Sequence, residues 1–144
     1  MGNVSVSDIF TTQLAKIPVA GGDVMHVMKC IDPGFAGFGE AYFSALEHGA
    51  VKGWKRHLRM TLNLVVPIGF VRFVFVDADS NIQCIDVGYS NYIRITVPPG
   101  IWFGFQDLSN KFSLILNVAD IVHDPDEVER KSLSEINYDW GVSS

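Results

Sequence analysis

Between Val71 and Val97 the chain runs through three short apolar or alternating stretches, VRFVFVD, IQCIDV and YIRITV, split by the polar turns ADSN and GYSN. Side chains alternate across an extended strand, so Ile93, Ile95 and Val97 would face one way and Tyr92, Arg94 and Thr96 the other. Val71 to Asp77 is apolar on both faces, as suits a strand buried between two layers. Glu40 to Leu46 and Phe112 to Ala119 read as further strands, and helical periodicity is almost absent. Short strands with turn signals about every 8–12 residues imply an all-β sandwich or barrel.

With 144 residues the chain is expected to form one domain with a proper core. Residues 1–22 are expected to supply a lead-in strand and 23–119 the barrel, beginning with a strand over Asp23 to Cys30. Residues 120–144 form a polar, acidic C-terminal segment. There Asp124 is a candidate N-cap and Pro125 a candidate first residue of a short helical segment. Tyr138 and Trp140 are expected to fold back as an apolar anchor. The glycine-dense loop from Pro33 to Gly39 lacks phosphate-cradling spacing and reads as turns. Cys30 and Cys84, the only cysteines, show no metal or redox spacing and read as two packing thiols of a reduced cytoplasmic protein. The N-terminus lacks the pattern of a signal peptide or of a myristoylation site, and no apolar run reaches membrane-helix length, so no membrane association is expected.

The formal charge of −5 argues against nucleic acid as a partner. Yet Lys52, Lys55, Arg56 and Arg59 crowd one short stretch around His57. On an extended strand Lys55, His57 and Arg59 share one face, an arrangement suited to a small anionic ligand. A solvated strand edge is the other reading of the same charges. On the Glu40 strand, Glu40, Tyr42 and Ser44 share a face, and a tyrosine near His57 would give a pocket its proton donor.

Gly49, Gly69 and the Pro98-Pro99-Gly100 turn frame this stretch with a spacing that resembles the cupin superfamily, whose first motif places two histidines and a glutamate between two glycines. Lys55 stands at the first histidine position, His57 at the second and Leu62 at the glutamate, while Phe103 occupies the histidine position of the second motif. A metal cupin needs about three or four converging ligands, and one remains. The expectation is therefore a metal-free, cofactor-free cupin, a double-stranded β-helix jelly roll with a short C-terminal helical segment.

Within the cupins, the His57 strand, the run from Asn63 to Asp77, VPPGIWFGFQDLS and the closing Tyr138-Asp139-Trp140 resemble RmlC-like dTDP-4-dehydrorhamnose 3,5-epimerases. The KGWKRH stretch is also similar to the histidine strand of dTDP-sugar 3,4-ketoisomerases. The resemblance implies a homodimer that exchanges strands, takes a nucleotide sugar, and epimerises or ketoisomerises a dTDP-4-keto-6-deoxyhexose by proton abstraction next to the ketone. It would serve deoxysugar or surface-polysaccharide synthesis. His57 is then the base, and Lys55 or Arg59 the cation for the enolate. Tyr42 and Tyr92 are the candidate acids, Glu40 orients His57, and Arg59, Glu40, Asn63, Tyr92, Arg94 and Trp102 contact substrate. Trp54, Trp102 and Phe103 either stack on the ligand or, as preferred for Phe103, plug the vacated metal site. Leu116, Leu62 or Asn63, and Leu133 stand where the epimerases carry catalytic tyrosine, lysine and aspartate. That leaves a second reading, a non-catalytic cupin that binds a nucleotide sugar or carbohydrate.

Overall fold

The computed structural model describes residues 3–141. Two five-stranded antiparallel sheets face each other. The first runs β1 (Phe10–Gln13), β9 (Ile93–Val97), β6 (Leu62–Ile68), β11 (Phe112–Ala119) and β4 (Glu40–Glu47). In the second the order is β12 (Val128–Arg130), β5 (Val51–His57), β10 (Trp102–Asp107), β7 (Phe70–Val76) and β8 (Ile82–Gly88). A small hairpin of β2 (Lys16–Ile17) and β3 (Val24–Met25) lies outside them.

Alternation sorts the side chains. Leu62, Leu64 and Val66 of β6 meet Val71, Phe73 and Phe75 of β7 in the core between the sheets. Beyond Arg72, which pairs with Asp86, β7 is apolar on its other face because it has a second burial layer. Val74 and Val76 join Trp54 and Trp102 on the outside of the second sheet, under Ile136, Tyr138 and Trp140. The C-terminal anchor expected from Tyr138 and Trp140 thus packs on Trp54, with ring centroids 6.4 and 5.3 Å away. Each buried aromatic of this kind removes about 150–250 Å² from water, a gross gain of about 4–6 kcal/mol before entropy is charged.

The turns that align the sheets need glycine. Gly69 alone links β6 to β7 at φ +94°, and a Cβ there would lie 2.1 Å from Ser113 Oγ. Gly100, also at φ +94°, ends the Pro-Pro turn, and its N–H donates to the His57 carbonyl at 2.7 Å. That bond ties the turn to the end of β5.

Three expectations need correction. No helical segment begins at Pro125: Pro125–Glu127 is a single 3-10 turn, capped by Asp124, because Val128 is extended and starts β12 on the edge of β5. The strand expected over Asp23 to Cys30 is only Val24–Met25. Beyond it the His26 and Val27 carbonyls accept from Tyr92 and Arg94 side chains, so they do not pair with a neighbouring strand. Cys30 and Cys84 are exposed and do not pack in the core; both are free thiols. Among the described residues no helix is long and apolar enough to cross a membrane.

Candidate functional site

His57 is the last residue of β5 and faces the space between the sheets, where its ring stacks beside Phe103 with centroids 6.1 Å apart. It is 5% exposed. The 3-10 turn after Asp124 delivers Glu127 against it, and Glu127 Oε1 lies 2.5 Å from His57 Nδ1. The other carboxylate oxygen accepts from the backbone N–H of Arg59 and of Met60, each at 3.2 Å. Glu127 is 1% exposed. Burial alone would raise its pKa, but the bonds from His57 and the two N–H groups bring it below the ordinary glutamate value. An ionised carboxylate only accepts hydrogen bonds, so Nδ1 carries the proton and donates. Burial pushes the His57 pKa down, the bond and charge of Glu127 oppose this without prevailing, and Lys55 and His123 add to the fall. The imidazole is therefore neutral near pH 7. Its Nε2 is left as a buried lone pair with no hydrogen-bond partner among the described residues.

Next to it lies a cavity of about 60 Å³ lined by Tyr42, Ser44, Lys55, Phe103, Phe105 and Asn117, with aliphatic residues behind them. The cavity adjoins a cleft of about 260 Å³ that shares Ser44, Lys55, Phe103 and Phe105 and adds Lys52, Arg130 and Lys131. β4 and β12 are the terminal strands of the two sheets, so the barrel opens between them. Cations line its mouth, and His57 stands behind Phe103, the lining residue its ring stacks on. On the β4 wall Tyr42 Oη accepts from Asn117 Nδ2 at 3.1 Å, while Asn117 Oδ1 accepts from the Asn63 N–H at 3.1 Å. The tyrosine's own proton stays free to be donated. A larger groove, about 660 Å³, lies outside the barrel on the Trp102 face.

The basic stretch is less concerted than strand alternation implies. Arg56 pairs with Glu129 and Arg59 Nη2 donates to Asp124 at 2.7 Å. Arg59 lies beyond the end of β5 with a largely exposed side chain, so it does not share the cavity with Lys55 and His57. Lys52 Nζ donates to the Ala45 carbonyl at 3.2 Å. Lys55 forms no ion pair among the described residues, and burial, Arg130 and Lys52 lower its pKa against the pull of Glu127.

The structure places Lys55 and Tyr42 on one cavity, with His57 against its lining residue Phe103, and separates Arg59, Asn63, Tyr92, Arg94 and Trp102 from them. Asn63, Tyr92 and Arg94 sit on the outer face of the first sheet. Arg94 is fully buried there and donates to the Val27 and Pro33 carbonyls at 2.7 and 2.6 Å, and to Asn63 Oδ1 at 3.2 Å. Tyr92 Oη donates to the His26 carbonyl at 2.9 Å. These polar groups hold the 26–34 loop onto the sheet and are used up in doing so. Trp102 likewise faces out, between Arg56 and Lys131, whose charges lie 4.8 and 4.7 Å from its ring. Glu40 does not hold His57, since Glu127 does; its Oε1 is buried with no partner among the described residues.

Sequence reasoning missed Glu127, Asn117, Arg130 and Lys131. Asn117 could have been found: in FSLILNVA it is the polar residue on the face of Ser113 and Ile115, and its neighbour Leu116 points the other way, toward Val65 and Tyr92. Glu127 carried no comparable signal. Leu133, at the position expected for a histidine partner, instead accepts at its carbonyl from Trp54 Nε1 at 3.2 Å. Among the described residues, no three His, Cys, Asp or Glu side chains converge as a metal site would require.

No protein-family model and no curated protein matches the chain. Solved structures do. A dTDP sugar isomerase from Desulfovibrio desulfuricans G20 shares 32% identity over 94% of this chain and 92% of that one, with a TM-score of 0.88. A sugar 3,4-ketoisomerase from Thermoanaerobacterium thermosaccharolyticum, solved with TDP, gives 0.76 at 15% identity, covering 92% of this chain and 96% of its own. The 3,5-epimerase of Legionella pneumophila Philadelphia 1, solved with dTDP-4-keto-L-rhamnose, gives 0.78 at 15% identity, with coverage of 98% and 82%. At such identities the last two speak for the fold alone.

Proposed function

Because the chain belongs to the RmlC-like cupin family of dTDP-sugar isomerases, we propose that it isomerises a dTDP-linked 4-keto-6-deoxyhexose by moving a proton at the carbon beside the ketone. One observation carries this reading: a neutral histidine inside the barrel, held through Nδ1 by a buried glutamate, with Nε2 unpartnered. A base needs a free lone pair, a fixed tautomer and a pKa near or below the working pH, and His57 meets all three.

Removing a proton beside a ketone puts negative charge on the ketone oxygen. Lys55 on the same strand face, and the Tyr42 hydroxyl across the cavity, are the groups able to stabilise it. Tyr42 is also the candidate to return a proton from the wall opposite His57, the geometry an epimerisation needs. The cations Lys52 and Arg130 at the mouth suit a diphosphate, which would leave the sugar directed inward. The reading extends to deoxysugar or surface-polysaccharide synthesis as the pathway.

The exposed free thiols of Cys30 and Cys84 fit a reducing cytoplasm. A homodimer is the expected assembly. β1 ends its sheet, and Phe10, Ile17 and Val24 beside that edge are exposed. Light scattering on the purified protein reads its mass directly.

The test of function is incubation with dTDP-4-keto-6-deoxyglucose in D₂O followed by mass spectrometry and NMR of the sugar. Deuterium at the carbon beside the ketone is expected, and the His57→Asn variant should lose it while remaining folded. Saturable binding of the nucleotide sugar with no deuterium gain would overturn the enzyme reading in favour of a binding protein.

A further inference from the structure

We propose that Lys55 is a nucleophile that condenses with the sugar ketone, so that His57 removes its proton from an iminium and leaves an enamine in place of an enolate. The inference rests on the isomerase reading and deepens it.

Its grounds are positional. Lys55 lines both the inner cavity and the mouth, two residues before His57 on the same strand face. Around it stand Phe73, Phe103, Phe105, Leu62 and Leu64. A lysine amine in such surroundings is normally paired with a carboxylate. Here none pairs with it among the described residues, whereas Arg56 and Arg59 on either side each have an acid partner. Its neighbour across the β5–β12 ladder is another cation, Arg130. Glu127, the carboxylate whose charge raises the Lys55 pKa, is bonded to His57 and two backbone N–H groups. An amine in an apolar pocket beside another cation loses its proton readily and becomes nucleophilic. The lowered pKa of Lys55 agrees with that geometry.

The step balances without an outside reagent. The lysine nitrogen bonds to the ketone carbon, the carbon–oxygen bond breaks, and the oxygen leaves as water with two protons that the ammonium gives up. His57 Nε2 then takes the proton from the neighbouring carbon, and the electron pair moves into the carbon–carbon bond to quench the iminium charge. Protonation at carbon, from either face, restores the iminium. Water hydrolyses it to the ketone and free lysine. The advantage is that negative charge does not accumulate on oxygen.

The experiment is reductive trapping. The full-length protein is mixed with dTDP-4-keto-6-deoxyglucose and sodium cyanoborohydride, digested, and mapped by mass spectrometry, with deuterium exchange measured in parallel. Expected is an adduct at Lys55 with the mass of the sugar nucleotide less one oxygen atom, suppressed by excess dTDP. An adduct without exchange shows a reactive lysine but no proton removal, and overturns the proposal together with the isomerase reading. Exchange without an adduct, or labelling confined to Lys52 and Lys131, overturns the imine and leaves the isomerase intact. Neither exchange nor adduct overturns both. As a second arm, Lys55→Arg keeps the positive charge and cannot form an imine. A loss of exchange of about 100-fold or more is expected in this variant when folded, and exchange within tenfold of the parent protein overturns the proposal.

Discussion

Glu127→Gln tests how much of the site depends on one buried charge. The replacement is nearly isosteric, so packing is preserved, but an amide has one acceptor oxygen where the carboxylate has two. Three donors converge on that position: His57 Nδ1 at 2.5 Å and the Arg59 and Met60 N–H groups at 3.2 Å. The backbone donors cannot change character. The imidazole can, by shifting its proton to Nε2. The amide oxygen should therefore turn to the backbone and its NH₂ to His57, leaving Nδ1 as acceptor and Nε2 protonated. The base would then be occupied. Losing a positioned general base costs about 10²–10⁴-fold in rate, or about 3–5 kcal/mol of barrier. Replacing a charge-assisted bond by a neutral one should cost about 1–3 kcal/mol in stability. For a chain of this size that is a melting decrease of about 2–4 °C per kcal/mol. Deuterium wash-in, thermal unfolding and the nitrogen shifts of His57 read the three effects separately. A variant that exchanges within threefold of the parent, or whose His57 keeps its proton on Nδ1, would refute this account of the dyad.

Other consequences are open to measurement. Both His57 and Glu127 have pKa values lowered by folding, so their contribution to stability is complete above the ordinary values of 6.5 and 4.5 and is lost as pH falls through the folded ones. Chemical denaturation between about pH 7 and 4 should show that loss, and the acid limb of the exchange rate should have its midpoint below 6.5. Tyr42→Phe should slow return of a proton to the opposite face by about tenfold or more while wash-in persists, which separation of the sugar epimers would reveal. Arg94→Met should lower stability by about 2–4 kcal/mol, since several buried hydrogen bonds disappear. It should leave dTDP affinity by calorimetry unchanged; a tenfold weaker affinity in folded protein would return Arg94 to the binding site.

Strand positions were legible in the linear chain because alternation is a local property. Phe112–Ala119 and the strand content of Val71–Asp77 could be read from neighbouring residues alone, and so could the shared face of Lys55 and His57. The extent of the shared face was not: strand pairing stops at His57, and Arg59 swings out to Asp124. Nor could alternation say which face of a strand looks inward. Tyr92 and Arg94 have the pattern of pocket residues, yet they secure a loop on the outside of the first sheet.

The residues by themselves determined an all-β barrel, a lone histidine among cations, and a family whose chemistry needs a base. Tertiary structure decided what that histidine is. Its partner stands 70 positions along the chain, on a turn that Asp124 and Pro125 mark without showing what it faces, and only the pairing of β12 with β5 carries Glu127 to the ring. The same closure removes water from the imidazole and leaves Lys55 without a carboxylate. Protonation states in this barrel follow from burial and from contacts between distant segments, and neither is a property of neighbouring residues.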